Sequence, residues 1–183
     1  MKYQIIYVDP PWDYQGQRQH SGKSEVYHDT GGAISHYDTM KLDELKALDL
    51  SVIADPQECL LFMWSSSPHL PQALDVMMAW GFAWATMGFV WDKRKVNPGY
   101  YTMSQVELCL IGKKGRIPQP RGARNIRQLV REERGLHSAK PAEVRKRIEQ
   151  MFPTQKKIEL FARDTTPGWD VWGDGVGKTE WIF

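Results

Sequence analysis

The chain has 183 residues, 42% apolar and 25% charged, which is the balance of one folded domain of ordinary size and excludes a disordered chain. Its two cysteines, Cys59 and Cys109, exclude a disulfide framework and a cysteine-built zinc site, and no apolar run reaches the roughly 18 residues of a membrane span. The net charge of +2 is uneven: residues 113–147 carry 12 Lys and Arg against three acids, the remainder 12 against 19, so a polyanion footprint and an ordinary solvated surface both fit the basic block.

Residues 3–8, Tyr-Gln-Ile-Ile-Tyr-Val, are too continuously apolar for a sheet with one wet face and predict a central buried strand. Asp9-Pro10-Pro11-Trp12 ends it, because two prolines cannot continue a ladder. Residues 13–36 are polar and rich in Gly, Gln, Ser and His, the composition of a long active-site loop. A short helix from about Thr39 is expected to bury Leu42, Leu45 and Leu48. A fully apolar strand spans 59–64. Ser67-Pro68 then opens a helix that places Leu70, Ala73, Leu74, Met77 and Met78 on one face and ends at Gly81. Strands are expected over 82–91 and 106–111. Residues 113–136 read as a basic substrate-binding loop. A helix after Lys140-Pro141 buries Val144, Ile148 and Met151, Pro153 closes it, and 157–162 is the last strand expected. This alternation predicts one α/β domain over 1–183, with a mostly parallel central sheet and helices on both faces.

In open α/β sheets ligands bind at the carboxyl ends of strands, which is where Asp9-Pro10-Pro11-Trp12 falls. The amino group of a nucleobase is a poor nucleophile, since its lone pair is delocalised into the ring. Two acceptors set against its two N–H bonds pull the nitrogen toward a tetrahedral shape and stabilise the positive charge that grows as it attacks. Asp9 offers a carboxylate and Pro10 a backbone carbonyl. The prolines fix the turn, and Trp12 offers a flat face for a base. A plain turn with a buried Trp fits the same four residues.

The chain resembles the adenine-N6 methyltransferase family marked by Asp-Pro-Pro-Trp, which includes the messenger-RNA N6-adenosine methyltransferase and bacterial and phage relatives. The resemblance runs through Tyr37-Asp38-Thr39-Met40, Leu61-Phe62-Met63-Trp64, Ala79-Trp80-Gly81-Phe82, Gly99-Tyr100-Tyr101 and Glu107-Leu108-Cys109-Leu110-Ile111-Gly112. It continues in His137-Ser138-Ala139-Lys140-Pro141, Ile158-Glu159-Leu160-Phe161-Ala162-Arg163 and Pro167-Gly168-Trp169-Asp170-Val171-Trp172-Gly173. It implies a Rossmann-like fold and transfer of a methyl group from S-adenosyl-L-methionine to the 6-amino group of adenine in nucleic acid, DNA preferred. The catalytic residues it implies are Asp9, Pro10, Pro11 and Trp12, with Asp9, Lys140, Arg163, Thr165, Thr166 and Asp174 at the cofactor. Trp12, Tyr37, Lys93, Arg94, Arg121, Arg124 and Arg127 are expected at the substrate. Thr165-Thr166, Asp174, Ser104 and Val106 depart from the family's usual residues at their positions.

The expected partner is nucleic acid, with no membrane and a possible homodimer, and the expected place is the cytoplasm, since Met1-Lys2-Tyr3-Gln4 has no signal-peptide apolar region. No metal is expected: His20, His28 and His36 recur in a polar loop at spacing wrong for a tight site. Residues 173–179 resemble a phosphate loop, but Trp172 stands where the pattern needs glycine. An RNA adenine-N6 methyltransferase, a catalytically silent nucleic-acid-binding subunit and a small-molecule amine methyltransferase are the alternatives.

Overall fold

A computed structural model describes residues 2–13, 39–98, 101–135 and 139–177. Seven strands form one sheet: β1 (Ile5–Val8), β2 (Glu58–Ser65), β3 (Ala83–Asn97), β4 (Ser104–Gly115), β5 (Leu129–Arg131), β6 (Lys157–Leu160) and β7 (Asp170–Trp172). Their spatial order is β5-β3-β4-β2-β1-β6-β7. β1 pairs in parallel with β2 and β6, β7 with β6, and β5 with β3. β4 is antiparallel to both β2 and β3, so it alone runs against the other six. The expected alternation had no place for that reversal. Its cause is local: β3 and β4 are joined by a short connection after Pro98, and consecutive strands so joined pair antiparallel.

Helices α1 (Leu42–Ala47) and α2 (Leu70–Ala79) lie on one face of the sheet and α3 (Ala142–Met151) on the other. The two-residue period of the strands sorts the core accordingly. Ile6, Val8, Leu61, Met63 and Leu110 pack with Leu45, Ala73, Val76 and Met77 of the first two helices. Ile5, Tyr7, Phe62, Trp64, Phe89, Trp91 and Cys109 pack with Val144 and Ile148 of α3. Each fully buried Val, Leu, Ile, Phe or Met among them contributes about 1.5–3 kcal/mol by leaving water.

The helix ends follow from their sequences. The backbone N–H of Lys41 donates to the Glu44 carboxylate at 2.8 Å, which holds the first turn of α1. α2 stops at Gly81, whose φ of +79° lets its own N–H reach the Met78 carbonyl and that of Phe82 reach the Met77 carbonyl. Leu45 is fully buried, while Leu42 and Leu48 only pack against the core's edge. Met78, expected inside, is 61% exposed, because α2 turns Ala73, Val76 and Met77 to the sheet instead.

Two further expectations need correction. The strand foreseen over 82–91 continues to Asn97, so β3 and β4 extend beyond β2 as a two-stranded arm. The basic segment 113–136 is not one loop. Lys113 to Gly115 end β4, and Leu129–Arg131 form β5 on the edge of β3.

Candidate active site

The same period that builds the α3 side of the core delivers the charged groups. On β1 the column Ile5, Tyr7 is followed by Asp9. On β3, Phe89 and Trp91 are followed by Lys93. On the reversed β4, Cys109 is preceded by Glu107. Because β4 runs backward, its beginning meets the carboxyl ends of β2 and β3, with Leu108 opposite Ser65 and Glu107 opposite Trp91. Lys140, just ahead of α3, drops into this row.

The row is continuous. The Lys140 ammonium lies 3.0 Å from Oδ2 of Asp9 and 3.0 Å from Oε2 of Glu107. Lys93 Nζ donates to Glu107 Oε1 at 3.3 Å. Lys140 also stands 5.7 Å above the Trp64 ring, a cation–π contact in a water-poor place. Asp9 keeps 23% of its side chain exposed, against 18% for Glu107, 14% for Lys140 and 7% for Lys93, so it is the most accessible member.

Burial pushes the Asp9 carboxyl above its ordinary value, and Lys140 and Arg163 pull back against it. Burial also raises Glu107, but its two ammonium partners, Lys140 and Lys93, outweigh that and hold it below the usual carboxylate range. For Lys140, burial disfavours the charge, yet Asp9 and Glu107 together raise its pKa well above normal. The row thus alternates in sign, with two carboxylates interleaved with two amines: Asp9, Lys140, Glu107, Lys93.

The turn after β1 is clamped. The Pro10 carbonyl accepts the Trp12 N–H at 2.9 Å, and the Pro11 carbonyl accepts that of Met40 at 2.9 Å. Trp12 is buried, and its indole N–H donates to the Trp64 carbonyl at 3.3 Å. Its ring stacks on His69 at 5.8 Å and 19°. His69, from the 3-10 turn that follows β2, pairs through Nδ1 with Ser66 Oγ at 2.8 Å. Burial lowers its pKa, and a hydrogen bond to the Asp13 backbone works the other way. A cavity of about 240 Å³ opens beside this stack, lined by Trp12, Asp13, Met40, Lys41, His69 and Gln72 among others.

The profile of the MT-A70 family matches residues 3–175. The chain belongs to the MT-A70 family. It is 49% identical over 182 residues to the Type II methyltransferase M.MunI of Mycoplasma sp, covering 94% of this chain and 77% of that protein. It is 26% identical to the human N(6)-adenosine-methyltransferase catalytic subunit METTL3 over 96% of this chain and 29% of that protein. For the MT-A70-like N(6)-adenosine-methyltransferase of Drosophila melanogaster the identity is 27%, over 96% and 28%. The chain thus spans under a third of the two animal proteins.

Among the residues that the MT-A70 resemblance singled out, the structure brings Asp9, Pro10, Trp12, Lys140 and Lys93 to one end of the sheet. Arg163 joins them. It is half-buried after β6, and its charge is felt at Asp9. Asp174 is exposed at the start of a single 3-10 turn after β7, and the turn's Gly173 and Gly175 abut the backbone of Ala162 and Arg163. Thr165 and Thr166 lead away from that end, and the Thr166 carbonyl accepts the N–H of Trp169, whose ring meets Tyr7. Trp12 was expected to present a stacking face, but His69 covers one side of it. Tyr37 lies outside the described residues.

The basic residues divide. Lys93 is an interior partner of Glu107, not a surface cation, since the α3-side column points inward. Arg94 is exposed at φ +58°. Arg121 sits at the opposite end of the sheet, its guanidinium 5.2 Å above Phe152, because residues 122 and 123 bond to the last carbonyls of α3. Arg124 and Arg127 are exposed on the path from there to β5.

Glu107 and His69 were not singled out from the sequence as site residues. Glu107 had a legible signal: a lone carboxylate in an apolar strand, in alternation with Cys109 and Ile111. His69 had none, since nothing local says that its ring will meet Trp12.

Proposed function

We propose that this MT-A70 methyltransferase transfers the methyl group of S-adenosylmethionine to the 6-amino group of adenine in DNA. The reading is carried by one observation: a partly exposed carboxylate, Asp9, fixed at the carboxyl end of the central strand beside the Pro10 carbonyl, with one of its oxygens already held by Lys140. DNA is preferred over RNA because the Type II methyltransferase relative stands at 49% identity and the N(6)-adenosine relatives at 26–27%.

The donor set suits the cofactor. Arg163 would take its carboxylate, Asp174 its ribose hydroxyls, and Asp9 would face its positive end. When bound, S-adenosylmethionine supplies an electrophilic methyl group on a sulfonium. The chain's own work is on the amine. Asp9 Oδ1 and the second lone pair of the Pro10 carbonyl accept its two N–H bonds, aim the nitrogen lone pair, and stabilise the charge that develops on nitrogen. Lys140 favours the ionised form of Asp9 against its burial and fixes its rotamer from Oδ2. The Trp12 clamp holds the turn that carries both acceptors. In a duplex, the adenine must leave the stack to reach them.

The test is transfer of labelled methyl to DNA, RNA and free adenosine by the wild type and by Asp9→Asn. Label is expected at N6 of adenine in DNA, and the variant should lose on the order of 10²–10³-fold in turnover while still binding the cofactor. Undiminished turnover in Asp9→Asn, or label confined to the free nucleoside, would refute the reading.

A further inference from the structure

A cavity of about 470 Å³ lies where the β3–β4 arm meets the segment after β5, lined by Lys93, Lys95, Val96, Asn97, Arg134 and Gly135. Three of the six carry positive charge and none is acidic. We propose that this cavity is a binding site for a backbone phosphate of the nucleic acid, with Lys95 and Arg134 as its two anchors. The proposal rests on the nucleic-acid reading above and deepens it.

The site is built by a bulge. Between the rungs Asp92 to Val106 and Asn97 to Ser104, β3 spends four residues where β4 spends one. Arg94 adopts φ +58° there, a conformation unfavourable for a non-glycine residue that has to be held by its surroundings. Asp92 holds it: its Oδ1 accepts the Arg94 N–H at 3.0 Å and the Gln105 amide at 2.7 Å, and its Oδ2 is 3.9 Å from Arg131. Lys93, still in the column of Phe89 and Trp91, points inward to Glu107, while the bulge leaves Lys95 on the cavity wall with Arg134. Asp92 is thereby engaged outside the cavity, and Glu107 is held by Lys93 and Lys140. Neither Lys95 nor Arg134 takes part in an ion pair among the described residues.

The occupant is a phosphate and not a base. The lining has no aromatic ring on which a base could stack, and a paired Lys and Arg match phosphate oxygens. The location also fits. Lys93 belongs at once to the cavity wall and to the charged row that ends on Asp9, so a phosphate here belongs to a nucleotide near the target adenine.

The test uses the double variant Lys95→Gln/Arg134→Gln, with Arg116→Gln as a control for net charge at the other end of the sheet. Affinity for an adenine-containing oligonucleotide is measured by fluorescence anisotropy against salt, and repeated with a neutral methylphosphonate placed at each position in turn. The double variant should lower the salt slope by about 0.9 on duplex, or about 0.7 on a single strand, while the control leaves it unchanged. One methylphosphonate near the target adenine should weaken wild-type binding and make no difference to the double variant. An unchanged slope, an equal fall in the control, or a methylphosphonate penalty that survives in the double variant at every position would overturn the site. Methyl transfer in the same oligonucleotides separates the two ideas: absence of N6-methyladenine with wild type sinks the parent reading, whereas normal methylation with an unchanged slope sinks only the phosphate site.

Discussion

The His69 ring lies 5.8 Å from that of Trp12, inclined by only 19°, and so ties the turn after β1 to the turn after β2. Ser66 fixes the imidazole from behind. Since Trp12 also bonds to the Trp64 carbonyl, the Asp9 and Pro10 acceptors are braced from the neighbouring strand without being touched by it. His69 acts through Trp12 and is a positioning residue. His69→Ala is expected to lower kcat by about 10–100-fold, the cost of a small misplacement of reacting groups. Cofactor affinity, measured by calorimetry, should stay near wild type, and His69→Phe, which keeps a stacked ring, should recover part of the loss. A parallel fall in kcat and cofactor affinity, with no recovery in the Phe variant, would mean that His69 merely supports the fold.

The charged row makes a paired prediction about pH. Asp9 stabilises the growing positive charge on nitrogen only as the carboxylate, and its pKa is raised, chiefly by burial, so the acid limb of the kcat profile should lie above the ordinary aspartate value of 3.8. Lys140 lowers the Asp9 pKa and Glu107 raises it. Lys140→Met should therefore move the limb to higher pH and Glu107→Gln should move it to lower pH. Profiles of the three proteins with one oligonucleotide decide the matter. Shifts of the same sign would show that another group sets the limb.

At the far end of the sheet a substitution should act on stability alone. Gly115 ends β4 at φ +65°, and a Cβ there would lie 2.0 Å from the Gln57 carbonyl oxygen, which accepts the Arg116 N–H at 2.7 Å. Gly115→Ala is expected to cost about 1–3 kcal/mol from the backbone conformation, with the collision added to it. Urea unfolding should show a lower midpoint, while kcat well below the melting range stays at the wild-type value. A drop in kcat with an unmoved midpoint would contradict this separation of the two ends.

Much of this was legible in the residues. The apolar run at 59–64, the strand expected over 157–162 and the stop of α2 at Gly81 are local signals, and local physics decided them. Asp9 was legible as the end of a buried strand, because two prolines cannot continue a ladder, while its chemical reading leaned on the family resemblance. The reversal of β4 was not, since strand direction is fixed by pairing and not by composition. β5 and β7 escaped because three residues are too few to show a period. The interior place of Lys93 was hidden for a different reason: its basic neighbours suggested a surface, while its column of Phe89 and Trp91 pointed the other way. Arg121 misled similarly, for a guanidinium over a phenyl ring and one reaching for phosphate look alike in sequence.

Beyond the rung from Asp92 to Val106 the strand pairing among the described residues is that of β3 with β4 alone, for β5 flanks β3 only as far as Asp92. Glu107 sits below that rung, opposite Trp91 of β3, and among the described residues Lys93, the first residue past the rung, is the arm's ion-pair link to it. Lengthening, shortening or exchanging the tip should leave the chemistry standing and change what the enzyme grips. The fold thus holds reaction and grip as separable modules, joined at one step of a ladder, and target choice can drift there without rebuilding the catalyst.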